Sequence, residues 1–214
     1  MKKAALISMF FIISSICMLF GEEYDFREAR WGMSVKEVRE SEDATLLNKQ
    51  GGKKEYSLVY SDTLAGLKAR IEYGFSQYKL RSARYRFVIE SGADALQRYR
   101  SFKDLLSEKY GQPESSARRY SDERKKALGP FAFLLRVPID FKLDESIEKG
   151  QLVLQTKWTT DFTYITLTLR GDNDGKKMRY VLEIDYEHKR WADEIRKEEQ
   201  KRQAAEKKEL FDAL

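Results

Sequence analysis

The chain has 214 residues, 35% of them charged, with a formal net charge of +5, one cysteine and one histidine. That balance is too mild for so charged a chain to point to nucleic acid as a partner. The lone Cys17 excludes an intramolecular disulfide and a cysteine-rich zinc site, and the lone His188 leaves any histidine-assisted chemistry resting on one residue.

The first element is an export signal. Lys2 and Lys3 precede an apolar run from Ala4 to Phe20, small Gly21 follows, and Glu22, Glu23 and Asp25 come next. A positive start, an apolar middle and a small residue describe a cleavable signal over 1–21, with the lysines kept inside. Two other readings stay open. Residues 4–20 lie at the lower length limit of a membrane span, so an uncleaved inner-membrane anchor is one. Lipidation at Cys17 is the other, although Ser14-Ser15-Ile16 lacks the small residue expected before a lipidated cysteine.

"FREARWGMSVKEVRESED" (26–43) opens the folded part. Ser34-Val35-Lys36-Glu37 is a capping box, with Met33 and Val38 placed as its hydrophobic staple. Gly32 permits a sharp turn before the cap, and Phe26 and Trp31 are expected to pin the incoming chain to a core rather than bind a ligand.

Three strands are predicted next, at 56–60, 67–75 and 83–89. Leu67, Ala69, Ile71, Tyr73 and Phe75 alternate with Lys68, Arg70 and Glu72, and Ala83, Tyr85, Phe87 and Ile89 alternate with Arg84 and Arg86. Period-two alternation with one polar face means antiparallel strands with one wet side. Both apolar sets are odd-numbered, so the connecting loop needs an odd number of residues. Ser76-Gln77-Tyr78 is the simplest choice, setting Arg70 opposite Arg84 and Lys68 opposite Arg86.

A helix over 93–110 follows, with Leu96, Tyr99, Phe102, Leu106 and Tyr110 as its apolar stripe and Gly111 and Pro113 as its stop. "SSARRYSDERKKA" reads as a loop or short helix. "PFAFLLRVPIDF" (130–141) reads as an edge strand or pinned loop, because of Pro130 and Pro138. A second trio of strands is predicted at 151–158, 162–170 and 178–187, with Trp158 in the core and Asp172-Asn173-Asp174-Gly175 as the last turn. The chain closes with a charged helix, 189–213, docked by Trp191 and Ile195 and about 37 Å long at about 1.5 Å per residue. It has no sustained heptad, so no stable coiled coil is expected.

Phe26…Trp31-Gly32-Met33-Ser34…Val38, then Tyr99…Phe102…Leu106…Lys109-Tyr110-Gly111-Gln112-Pro113, Trp158, Ile165, Leu167 and the run to Tyr186 resemble a pattern of uncharacterised exported bacterial proteins. The resemblance covers about residues 26–187. It implies a helix, three strands, a second helix and three more strands, and it brings no activity. The expected fold is therefore α+β: helix, three antiparallel strands, helix, three antiparallel strands and a long charged C-terminal helix. Residues 1–21 are assigned to the signal, 22–190 to one domain and 191–214 to the tail.

The search for reactive chemistry gives little. His188 falls between the last strand and the tail helix, beside Glu187, Lys189 and Arg190, and is expected to be solvated. "RGDNDGKKMRYVLE" has the spacing of a calcium loop, but Arg170 and Val181 would occupy ligand positions and neither can ligate. No metal, cofactor or catalytic residue is expected. Binding has three candidates. Lys68, Arg70, Arg84 and Arg86 would form a basic sheet face for phosphate headgroups or an acidic partner, unless an acidic segment covers it. Phe131, Phe133, Leu134 and Leu135 would form an apolar flap, unless they are core. Leu210, Phe211 and Leu214 would form a contact at the tail's end. The expectation is an exported, periplasmic or envelope-associated binding module without enzymatic activity, its partner a protein or an anionic envelope component. The alternatives are a hydrolase using an acid pair that spacing does not reveal, and a structural protein tethered to the membrane through residues 4–20.

Overall fold

The computed structural model describes residues 25–52, 54–120, 147, 149–150, 152–173 and 177–212. The expected signal with Cys17, the apolar flap at Phe131, Phe133, Leu134 and Leu135, Gly175 and Leu214 lie outside the described residues, as does the side chain of Leu210. Among the described residues no helix is long and apolar enough to cross a membrane.

The elements in chain order are α1 (Val35–Ser41), β1 (Thr45–Gly51), β2 (Glu55–Leu64), β3 (Leu67–Ser76), β4 (Lys79–Ile89), α2 (Gly92–Tyr110), β5 (Ser115–Tyr120), β6 (Leu152–Thr159), β7 (Thr163–Asn173), β8 (Met178–His188) and α3 (Lys189–Asp212). The class is α+β with an antiparallel sheet, but the expected three-plus-three arrangement is wrong. All eight strands form one antiparallel sheet in the order β1-β2-β3-β4-β8-β7-β6-β5. The pairing of β4 with β8 joins the halves, Tyr85 lying opposite Ile184 and Phe87 opposite Leu182.

The two extra strands are the sheet's edges. Every residue of β1 is exposed, as are residues 115–119 of β5. Neither buries a face, so neither carries an alternating pattern, and backbone hydrogen bonds to β2 and β6 define them. Residues 115–120 are thus strand, not the expected loop or short helix.

Both hairpin registers differ from expectation, for different reasons: in the first the odd residue does not sit in the turn, and in the second the even loop lies further along the chain. Gln77 and Tyr78, both at positive φ, form a two-residue turn that pairs Ser76 with Lys79. Arg81 is then the extra residue of a bulge between Phe75↔Leu80 and Gly74↔Ser82. Arg70 consequently faces Arg86, and Arg84 faces Glu72, rather than the pairs expected. In the second hairpin Asp172 and Asn173 belong to β7, pairing with Arg179 and Met178, so the turn lies beyond them.

One face of the sheet holds the core. Ser91 caps α2, whose Leu96, Tyr99, Phe102 and Leu106 are buried on it. Phe102 stacks on Phe87 at 5.2 Å between ring centroids. Gly111, at φ 84, ends the helix, and its carbonyl accepts the Trp158 indole N–H at 3.1 Å. The buried Thr156 hydroxyl is satisfied by Tyr99 at 2.7 Å and Ser116 at 3.1 Å. At the entry, Ser34 and Glu37 close the capping box with α1, and Val38 is buried.

Ahead of α1, residues 25–31 cross the core face as a strap. Phe26 is buried against Tyr73, Tyr85 and Tyr186, at centroid distances of 5.4, 4.7 and 5.0 Å. Arg27 pins the strap through Nε to Glu42 at 3.0 Å and through Nη2 to Asp62 at 2.9 Å. The Tyr73 hydroxyl donates to the same Glu42 carboxylate. Helix α3 leaves β8 without a break. Its first two turns are held by buried Ala192, by Tyr164 donating to Asp193 at 2.9 Å, and by Arg196 reaching Glu187 at 3.3 Å.

Candidate functional site

Three segments distant in sequence converge where β8 passes into α3. The strap supplies Asp25, Arg30 and Trp31, and the end of α2 supplies Lys109 and Tyr110. The β6–β7 turn supplies Thr159, Thr160, Asp161, Phe162 and Thr163. With Ile165 and His188 they line a cleft of about 780 Å³. That volume falls within the range of small-molecule sites, which combine aromatic walls with a few placed polar groups.

Local hydrogen bonds fix each wall. The Trp31 amide donates to Asp25 Oδ2 at 2.8 Å, and its indole Nε1–H donates to Thr163 Oγ1 at 2.8 Å. The adjacent Gly32 takes φ 87, which turns the chain away behind the indole, and its amide bonds to the Leu80 carbonyl at 3.0 Å. Thr160 Oγ1 accepts from the Thr163 amide at 3.0 Å and Thr159 Oγ1 donates to Glu114 at 2.7 Å, so the turn's hydroxyls are committed to holding its shape. That shape leaves Phe162 66% exposed beside the cleft. On the opposite wall the Lys109 ammonium lies 4.9 Å above the Tyr110 ring.

His188 is not the solvated junction residue expected. It pairs with Thr163 across β7–β8, is half-buried, and stacks on Trp31 at 6.0 Å between ring centroids and 26° between planes. Arg81, left unpaired with β3 at its bulge, places Nη1 3.2 Å from His188 Nδ1. A guanidinium only donates, so Nδ1 is an unprotonated acceptor and the neutral ring carries its proton on Nε2. Burial, then the Arg81 charge, push the imidazole pKa below its usual value, while Asp25 pulls weakly the other way. The ring's one acceptor is therefore already occupied by Arg81.

The opposite sheet face carries the predicted basic residues. Lys68, Arg70, Arg84 and Arg86 do share it, but they do not form a uniform positive field. Arg84 pairs with Asp185, and Arg86 Nη1 lies 3.1 Å from Glu183, which Arg170 also approaches at 3.5 Å. β8 supplies these acids at alternate positions, and only the β4–β8 pairing brings them opposite the arginines. Glu183 is 7% exposed and fully occupied by arginines. Burial raises the Asp185 pKa against the pull of Arg84, and Glu183 and Glu187 add to the rise. Beside them lies a hollow of about 140 Å³, below the size of ordinary ligand sites. Lys68 and Arg70 remain exposed. Of the tail contact, Phe211 is exposed near the end of α3.

The sequence reading missed Arg81, Tyr110, Phe162 and Thr163 as site residues and treated Trp31 purely as a core anchor. An exposed phenylalanine inside a Thr-Thr-Asp-Phe-Thr turn was the one local signal available. Among the described residues no group of three or more His, Cys, Asp or Glu side chains could hold a metal ion. Comparisons with protein-family models, with curated proteins and with solved structures find no match to this chain.

Proposed function

We infer that the chain is an exported, non-enzymatic binding module of the cell envelope, and that the cleft between strap, α2 end and β6–β7 turn holds its ligand. The export part rests on the Lys2-Lys3 start and the apolar 4–20 run. The binding part rests on one observation: the cleft's threonine hydroxyls and its imidazole acceptor are already engaged in building it. Thr159 spends its hydroxyl on Glu114, Thr160 on the turn and Thr163 on Trp31, and His188 spends Nδ1 on Arg81. A general base needs a free lone pair within reach of a substrate proton, and the neutral ring's one acceptor is already taken. The remaining surface is aromatic, with charges of both signs around it, which suits recognition of an apolar group on a protein or an envelope component.

The test is a titration of isotope-labelled protein at pH 7.5 with p-cresol, phenylacetate and phenethylamine, a neutral, an anionic and a cationic probe of similar body. At about 0.4 kcal/mol per non-hydrogen atom such probes bind with millimolar Kd. The expected result is saturable shifts of the Trp31 indole N–H and the Phe162 and Thr163 amides with at least one probe. No saturable shift in the cleft with any of the three refutes the reading.

A further inference from the structure

We propose that the cleft is proton-gated at His188: it is assembled while the imidazole is neutral and loosens when the ring takes a second proton. The gate regulates the cleft read above as a ligand site, though it rests on contacts present without any ligand.

His188 is the point at which four elements meet. It ends β8, and the next residue begins α3. The Lys189 amide bonds to the Phe162 carbonyl at 2.9 Å, tying the α3 start to the cleft's exposed phenylalanine. Across the ladder His188 pairs with Thr163, whose hydroxyl accepts the Trp31 indole N–H. Its ring face stacks on Trp31, and its Nδ1 accepts from Arg81. Strap and bulge therefore meet on the ring itself, and turn and helix on the backbone at and beside the same residue.

Protonation changes one atom decisively. A proton on Nδ1 sets a donor against the Arg81 donor and a second positive charge beside the guanidinium, so the 3.2 Å contact becomes repulsive. The bulge fixes the Arg81 backbone, and its Nε is buried without a hydrogen bond among the described residues, so the contact with Nδ1 is what orients the guanidinium against the ring. Repulsion there shifts ring and guanidinium apart, and the Trp31 stack on the same ring loosens with it.

The other charges around the ring do not cancel this. On α3, Arg190 opposes protonation and Glu194 favours it; on the strap, Asp25 favours it, with Arg30 beside it. Lys109 on α2 adds positive charge across the cleft, Asp161 on the turn adds negative, and Glu187 is engaged by Arg196. Burial and Arg81 outweigh the carboxylates, so the neutral ring is the folded preference. The sign follows. With the folded pKa depressed, the assembled state is complete above the ordinary imidazole value of about 6.5 and is lost as pH falls through the window below it.

The sole histidine makes the test clean, because one imidazole signal reports the whole titration. His188 ring carbons and the Trp31 indole N–H are followed by NMR from pH 8 to pH 4.5 on the full chain without ligand. The expected result is a His188 midpoint below 6.5. Protection of the Trp31 indole proton, taken relative to its intrinsic exchange rate at each pH, should fall about fivefold with that same midpoint, the factor of one net hydrogen bond. Arg81→Met should raise the midpoint towards the ordinary value. Arg81→Gln, which keeps a donor but removes the charge, should give an intermediate midpoint and serves if the Met variant folds poorly. A Trp31 signal indifferent to the His188 titration overturns the gate, as does a midpoint unmoved in both Arg81 variants. Because no ligand is present, that failure leaves the probe titration standing, and failure of the probes leaves the gate standing.

Discussion

Replacing Arg27 by methionine should destabilise the domain far more than replacing its partner Glu42 by glutamine. The two side chains form one ion pair, at 3.0 Å, but they are buried unequally: the Glu42 side chain is 2% exposed and that of Arg27 23%. Without Arg27, a carboxylate stays buried with two neutral donors, the Ala44 amide at 2.9 Å and the Tyr73 hydroxyl, and no countercharge. A buried charge stripped of its partner costs about 3–5 kcal/mol, and the two surviving hydrogen bonds place this case near the lower end, at about 3 kcal/mol. Without the Glu42 charge, Arg27 keeps Asp62 at 2.9 Å and part of its hydration, and the buried amide keeps neutral hydrogen bonds, so the cost is about 1–2 kcal/mol. The double variant should cost less than the sum of the two, because the pair acts as a unit. Urea unfolding at pH 7 of the four proteins measures all of this. An Arg27→Met cost no greater than that of Glu42→Gln refutes the claim that the strap is held by a buried carboxylate. The same variant also reports on the cleft, since the strap carrying Arg27 carries Asp25, Arg30 and Trp31.

The remaining predictions concern other parts of the molecule. Ending the chain after Arg196 should shift Tm by no more than about 2 °C, because residues 197–209 and Phe211 are exposed, whereas ending it after His188 removes buried Ala192 and the Tyr164–Asp193 bond and should cost several times more; differential scanning calorimetry decides. Arg84→Gln should be destabilising, because it leaves Asp185 without its cation, while Lys68→Gln should stay within about 0.5 kcal/mol; equal effects in urea unfolding refute the charge mesh. With its folded pKa raised, Asp185 favours the fold fully below the ordinary aspartate value of about 3.9 and loses that contribution as pH rises. Wild type should therefore lose stability relative to Asp185→Asn from pH 3.5 to pH 7, and a relative gain refutes the sign. Gly171→Ala should cost about 1–3 kcal/mol, since a Cβ there would lie 2.5 Å from the Gly150 Cα and backbone must move; an unchanged urea midpoint contradicts it.

What the sequence disclosed of the fold follows from what each strand buries. β3, β4, β6 and β7 put alternate residues into the core, and burial writes a two-residue period into the chain. β1 and β5 bury nothing comparable, and their existence depends on backbone bonds that any residues could make, so Thr45–Gly51 and Ser115–Tyr120 were invisible. The β4–β8 pairing was hidden for another reason. β8 is covered on both faces, with Val181 and Glu183 buried beside Leu182 and Ile184, and a strand covered on both faces does not declare which neighbour it has. Parity fixed which side chains share a face but not where the odd residue sits, and Arg81 took the bulge instead of the turn.

The cleft was illegible for a reason that also bears on how it works. Its walls come from residues 25–31, 109–110, 159–163 and 188, and no local pattern relates them; only the β7–β8 register and the strap's crossing of the sheet bring Trp31, Thr163 and His188 together. The bulge adds Arg81 by the same residue offset that defeated the register expectation. Had Ser76-Gln77-Tyr78 been a three-residue loop with an unbroken ladder, Arg81 would have been an ordinary ladder residue of β4. As an extra residue it is left unpaired with β3, while the β4–β8 register, ending at Ser82↔Glu187, leads it towards the one histidine in the chain, whose Nδ1 its guanidinium meets. A one-residue irregularity in the β3–β4 hairpin thus adds a positive charge to the burial that keeps the ring at the end of β8 neutral, and the proposed gate depends on both.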